Sequence, residues 1–199
     1  MPERRTNVSI DEWLATEKRE QQRYEYHSGR IIPVGNGGPQ ETIDPLARKT
    51  LVSNLITLLS RACDHHTEDS RVFQGVQLQL SDGDILHPAV VVSTSARNDE
   101  STDAVLNPTI VIEIQAHDAD VMLGVRPRQY LSVPSVTSYL IIDAASPTIY
   151  LLRSPDQTDS HSLHYAEGLA ATIAVPELRA TLRLAELYEG VRFHTPNEG

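Results

Sequence analysis

The stretch 106-LNPTIVIEIQAHDAD-120 decides how the chain is read. With a period of two, Ile110, Ile112 and Ile114 fall on one face of a strand, and Thr109, Val111, Glu113 and Gln115 fall on the other. Glu113 and Gln115 therefore point the same way. A lone ionised carboxylate in an apolar layer is costly, so Glu113 needs either a buried partner or a cleft in which a cation satisfies it. On the strand alone, a structural ion pair is the plainer account.

The neighbouring segments alternate between the two periods. Upstream, "ILHPAVVVS" reads as a second apolar strand after the turn "SDGD", and "RVFQGVQLQL" (71–80) as a strand with one wet face. Downstream come a helix around 123–132, strands "SYLIID" and "TIYLLR", a weaker strand "HSLHYAE" beyond the polar loop "SPDQTDSHS", and a final short helix "LAELYEG". Two helices precede this block. Residues 9 to about 27 open with Ser9 and Glu12 in a capping box, with Val8 and Trp13 at staple spacing. Residues 46 to about 64 carry Leu51, Val52, Leu55, Leu58, Leu59 and Ala62 at helical spacing. Between them, "YEYHSGRIIPVGNGG" reads as a helix end or short strand, a turn at Ser28 and Gly29, a strand through Ile31 and Ile32, and a glycine loop serving as linker or flap. The order predicts an α/β or α+β fold, a mixed sheet flanked by helices, in one domain spanning 1–199 with its core at about 9–192.

Composition narrows the function. The formal net charge is -10, which opposes sequence-independent binding to nucleic acid. Lys18 and Lys49 are the two lysines, so few positions could supply a catalytic one, and Lys49 reads as an ordinary surface residue. A single cysteine, Cys63, excludes a disulfide framework and a cysteine zinc site. No apolar run suits a membrane span and no apolar stretch follows the N-terminal arginines, so the cytoplasm is the expected compartment. "GNGGP" carries no phosphate-binding fingerprint and implies no cofactor, and neither G-x-S-x-G nor H-E-x-x-H occurs. Ser60 with His65 or His66 forms no nucleophile motif, and the histidine pair suits the dipole at a helix C-terminus. Trp13 and the seven tyrosines are not interleaved with basic residues, so no base-stacking platform is visible.

Two apolar strands about twenty residues apart, "HPAVVV" and "NPTIVIEIQ", each opened by a proline, suit a metal-dependent phosphodiesterase only if each supplies a carboxylate. Glu113 is the second of these; Ala89 stands where the first is needed. Through "SIDEWLATEKREQQRYEYHSGRIIPV", "VSNLITLLS", "ILHPAVVVS", "NPTIVIEIQ", "RPRQYLSVPSVTSYLIID" and "LAELYEGV", the chain resembles the Uma-two family of restriction endonucleases, in the PD-(D/E)XK nuclease superfamily, over nearly its full length. The resemblance implies a restriction-endonuclease-like core, a homodimer, and Mg²⁺- or Mn²⁺-dependent cleavage of DNA. Carried over by residue, it makes Glu113 a metal ligand and catalytic glutamate, Glu25 a second catalytic acid, and Tyr130 and Gly124 matching positions. Arg126 replaces the family's lysine, Met122 its aspartate and Ala89 its principal metal aspartate, while Arg48 lies where relatives often carry histidine.

These departures bear on chemistry. Alanine supplies no oxygen to a hard cation, and arginine stabilises phosphate without readily transferring a proton. Arg126, Arg128, Arg48, Gln115 and Tyr130 are the expected substrate-binding side chains. His87, two residues before Ala89 on the same face, or Asp84 in the preceding turn, could replace the missing ligand, and histidine would favour Mn²⁺ or Zn²⁺. His117, Asp118 and Asp120 read as a solvated loop. Two functions follow: a metal-dependent endonuclease impaired at Ala89, or a catalytically silent nuclease-fold module that binds DNA or protein.

Overall fold

A computed structural model of the chain describes residues 7–34, 43–66, 70–94, 107–116, 125–154 and 161–193, without the side chains of His65 and His66. In chain order the elements are helix α1 (Ile10–Glu20), strands β1 (Tyr24–His27) and β2 (Arg30–Pro33), helix α2 (Pro45–His66), and strands β3 (Arg71–Gln74), β4 (Leu78–Gln79), β5 (Ile85–Leu86), β6 (Val90–Ser93) and β7 (Ile110–Gln115). They continue with helix α3 (Val125–Leu131), strands β8 (Ser138–Asp143), β9 (Thr148–Arg153), β10 (Ser162–Glu167) and β11 (Thr172–Val175), a 3-10 turn (Pro176–Leu178), strand β12 (Ala180–Arg183) and the one-turn helix α4 (Leu184–Leu187).

The main sheet has six strands in the order β10-β9-β8-β7-β6-β3 and is mixed, because β7 and β8 run parallel while their other neighbours are antiparallel. Every residue of β7 and β8 is buried, as expected of a parallel pair covered on both faces. Ile110, Ile112 and Ile114 pack with Leu51, Leu55 and Leu59 of α2 and with the β11–β12 hairpin, while Val111 joins Tyr130 and Leu131 of α3 in a second cluster. The alternation read in the sequence is thus the division between two cores, and Glu113 belongs to the α3 side.

A second sheet, β2-β1-β5-β4, differs in part from the sequence reading. The first helix ends at Glu20 instead of running to 27, with Gln21 in the left-handed region (φ 51°), and "YEYH" forms β1. Glu17 accepts a 2.6 Å hydrogen bond from the Tyr24 amide, and β1 pairs on one side with β2 and on the other with β5, partners a helix could not use. The helix start is as expected: Ser9 Oγ accepts from the Glu12 amide at 3.2 Å, and Glu12 accepts from the Ser9 amide at 2.8 Å. Val8 packs against buried Trp13, whose indole donates to the Tyr24 carbonyl at 2.7 Å.

Two stretches expected as single strands are each divided between the sheets. "RVFQGVQLQL" breaks at Gly75 (φ 70°) into β3 and β4, and "ILHPAVVVS" breaks at His87-Pro88 into β5 and β6. The β11–β12 hairpin lies where the sequence had suggested no element. The glycine loop 35–39 and most of the 154–162 loop lie outside the described residues, as do Met122, Gly124, His117, Asp118 and Asp120.

Candidate active site

Three elements converge on Glu113. Strand β7 carries it into the α3-side core, where it is 1% exposed. Helix α3 presents Arg126 and Tyr130 four residues apart, hence on one face. Strand β1 presents Glu25 and His27 two residues apart, also on one face. Arg126 grips Glu25 with both terminal nitrogens, Nη1 to Oε1 at 2.8 Å and Nη2 to Oε2 at 2.6 Å, and its Nη1 lies 3.5 Å from Glu113 Oε1. Tyr130 donates its hydroxyl to the same Glu113 oxygen at 2.7 Å. Glu113 Oε2 is buried and has no hydrogen-bond partner.

The network continues through His27, whose Nε2 lies 3.2 Å from Glu25 Oε2 and whose Nδ1 lies 3.3 Å from Asp84 Oδ2. Asp84 Oδ1 accepts from the Ser28 amide at 2.7 Å and so braces the β1–β2 turn, where Ser28 has φ 47°. Asp84 is thereby tied to both His27 and the turn.

Burial opposes charge on Glu25, but the hydrogen bond from His27 and the charge and hydrogen bonds of Arg126 outweigh it and hold its pKa at about 2. Burial dominates at Glu113 and raises its pKa despite Arg126 and Tyr130. The guanidinium of Arg126 resists deprotonation even more than usual: burial works against its charge, and Glu113, Tyr130 and Glu25 overcome it. Hydrogen bonding to Glu25 raises His27, which favours the form whose two ring nitrogens both donate. Tyr130 and buried Tyr139, with ring centroids 5.1 Å apart, are pushed well above the usual tyrosine range by burial and remain neutral.

The remaining expected site residues are distributed unevenly. Arg48 donates to the Ile114 carbonyl at 3.1 Å and its charge is felt by Glu113. Gln115 is buried at the end of β7 with Oε1 unpartnered. Arg128 is exposed on α3, outside the network. His87 is buried 3.4 Å from Glu17 Oε1, and burial followed by the Arg23 charge lowers its pKa to about 4. It joins no metal-binding group: among the described residues, no three His, Cys, Asp or Glu side chains are placed to hold an ion. His27 and Tyr139 were not singled out in the sequence. Placing Glu25 at the end of a helix concealed His27, since residues two apart share a face on a strand and not on a helix.

Ala89 is 6% exposed, and continuing the Val90–Ile112 register places it opposite Glu113. A divalent cation is a poor fit here. Both oxygens of Glu25 are bound by Arg126, Ala89 offers no donor, and the guanidinium stands beside the one remaining carboxylate.

The mixed sheet with helices on both faces is a nuclease-type architecture, shared with the crystal structure of a protein from Anabaena variabilis described as a putative nuclease belonging to DUF820 (TM-score 0.62, 15% identity, 85% of this chain and 91% of that one). The chain belongs to the Uma2 family, described as "Putative restriction endonuclease", whose profile matches residues 10–185. It is also similar to the uncharacterized protein slr1290 of Synechocystis sp., with 24% identity over 187 residues and 94% of each chain covered.

Proposed function

We propose that this protein is a nuclease-fold binding module in which Arg126 has taken the electrostatic role of the metal, so that the scaffold persists without phosphodiester cleavage. The observation that carries this reading is the two-point clamp of Arg126 on Glu25, 2.8 and 2.6 Å, with the same guanidinium 3.5 Å from Glu113. Two buried carboxylates that would otherwise call for a cation share a covalently tethered one. Ala89 supports the same conclusion, since a hard cation needs several oxygens and that position has none.

A second reading, a Mg²⁺- or Mn²⁺-dependent DNA endonuclease, draws on the unpartnered Oε2 of Glu113. Nicking of supercoiled plasmid in Mg²⁺ and in Mn²⁺ separates the two. The module reading expects the unmodified chain to match Glu113→Ala in showing no cleavage. It also expects Mn²⁺ binding by calorimetry only after Ala89→Asp is combined with Arg126→Lys. Cleavage by the unmodified chain that disappears in Glu113→Ala would establish the endonuclease instead.

A further inference from the structure

Beside this network, the N-terminal half of α2 and the break between β5 and β6 enclose a cavity of about 590 Å³, within the size range of small-ligand sites. Arg23, Arg48 and Lys49 line it, and no carboxylate does among the described residues, in a chain whose formal charge is -10. The second helix therefore edges a cavity, and Lys49, exposed as its sequence context suggests, lines it. Arg48 is half-buried, donates to a single carbonyl, and forms no ion pair with the described residues. His87 also lines the cavity; it is 4% exposed, and neither ring nitrogen makes a well-formed hydrogen bond, although Glu17 lies 3.4 Å away.

A half-buried guanidinium with one carbonyl acceptor, its charge answered only in part by Glu113, and a buried imidazole without a well-formed hydrogen bond both leave room for an acceptor. A divalent cation would be repelled by three positive side chains. We infer that this cavity binds a phosphomonoester without metal, its phosphate held by Arg48, Lys49 and Arg23 with His87 as a further N–H donor. The guanidinium fork of Arg48 matches phosphate geometry, and a dianion answers the concentrated positive charge. Val34, Val52, Ile56 and Pro88 form an apolar wall against which the organic part of the ester can lie. The inference rests on the proposed function in one respect: alanine at position 89, another lining residue, leaves this wall free of the negative charge that an aspartate would bring.

Calorimetric titration in EDTA with thymidine 5′-monophosphate, inorganic phosphate and thymidine tests it. Both phosphates should bind and thymidine should not. Tighter binding of the nucleotide assigns the natural ligand to a nucleotide or nucleic-acid end, and equal binding assigns it to the phosphate alone. Lys49→Gln, at an exposed position that leaves the fold intact, should weaken binding severalfold, and Arg48→Gln by about tenfold or more. Arg183→Gln, at an exposed position that does not line the cavity, should leave it unchanged. A flat titration with all three probes, or binding indifferent to both cavity substitutions, would overturn the inference. The two proposals fail separately, one as nicking in Mg²⁺ or Mn²⁺ and the other as absence of heat in EDTA.

Discussion

Arg126 is a single cation answering two buried acids. Removing one partner of a buried charge network leaves the others uncompensated, so Arg126→Met should lower unfolding free energy by about 3–5 kcal/mol in urea denaturation. Arg126→Lys keeps the charge and loses the planar two-point grip, and should recover part of that loss. His27 gives a pH signature. Its pKa is raised in the folded state by Glu25 and Asp84, so its contribution is complete below the ordinary value of 6.5 and disappears as pH rises through the folded one. Glu25, depressed from 4.5 to about 2, contributes above pH 4.5 and loses that contribution as pH falls toward 2. A pH series of denaturation midpoints should therefore decline above pH 6.5 in the unmodified chain, and this component should vanish in His27→Gln.

At the scale of elements, glycine decides where a strand changes sheets. Gly75 has φ +70°, and a Cβ there would sit 3.4 Å from the Arg23 guanidinium, which donates to the Gly75 carbonyl. Gly75→Ala should cost about 1–2 kcal/mol from the left-handed backbone, plus whatever displacement of Arg23 adds. Gly83→Ala is the control, because φ is +89° there and a Cβ meets nothing within 4 Å. A larger loss of stability at Gly75 than at Gly83 measures the Arg23 contact. The same scale explains how the site was read. "IVIEIQ" was legible because both its faces are buried by period two, and the Arg126–Tyr130 spacing was legible as one helical face. "YEYH" stayed open between a helix end and a short strand because its conformation depends on β2 and β5 rather than on its own residues.

For the whole molecule, charge sets the range of partners. With a formal charge of -10 and three cations gathered at one cavity, the protein should bind duplex DNA no better than the non-specific range, about 10⁻⁴–10⁻⁶ M at physiological salt, in fluorescence anisotropy. If those three cations carry all the phosphate contact, the logarithm of affinity should fall against that of salt with a slope of about -2 to -3. A steeper slope would reveal a basic surface beyond the cavity. No helix among the described residues is long and apolar enough to cross a membrane.

Residue order by itself determined the mixed sheet, the flanking helices, the need of Glu113 for a partner or a cation, the absence of a carboxylate at Ala89 and the family resemblance. These are written in local periodicity, in the identity of single residues or, for the resemblance, in the order and spacing of several segments. Tertiary structure decided what Glu113 and Glu25 are paired with, because Glu25, Glu113 and Arg126 lie on three elements, the first 88 residues before the second in the chain. It also decided that Asp84 braces a turn, that His27 shares a face with Glu25, and that Arg23, Arg48 and Lys49 border one cavity. A sequence records which charges exist; only their convergence in space determines which of them neutralise one another and which remain available to a ligand.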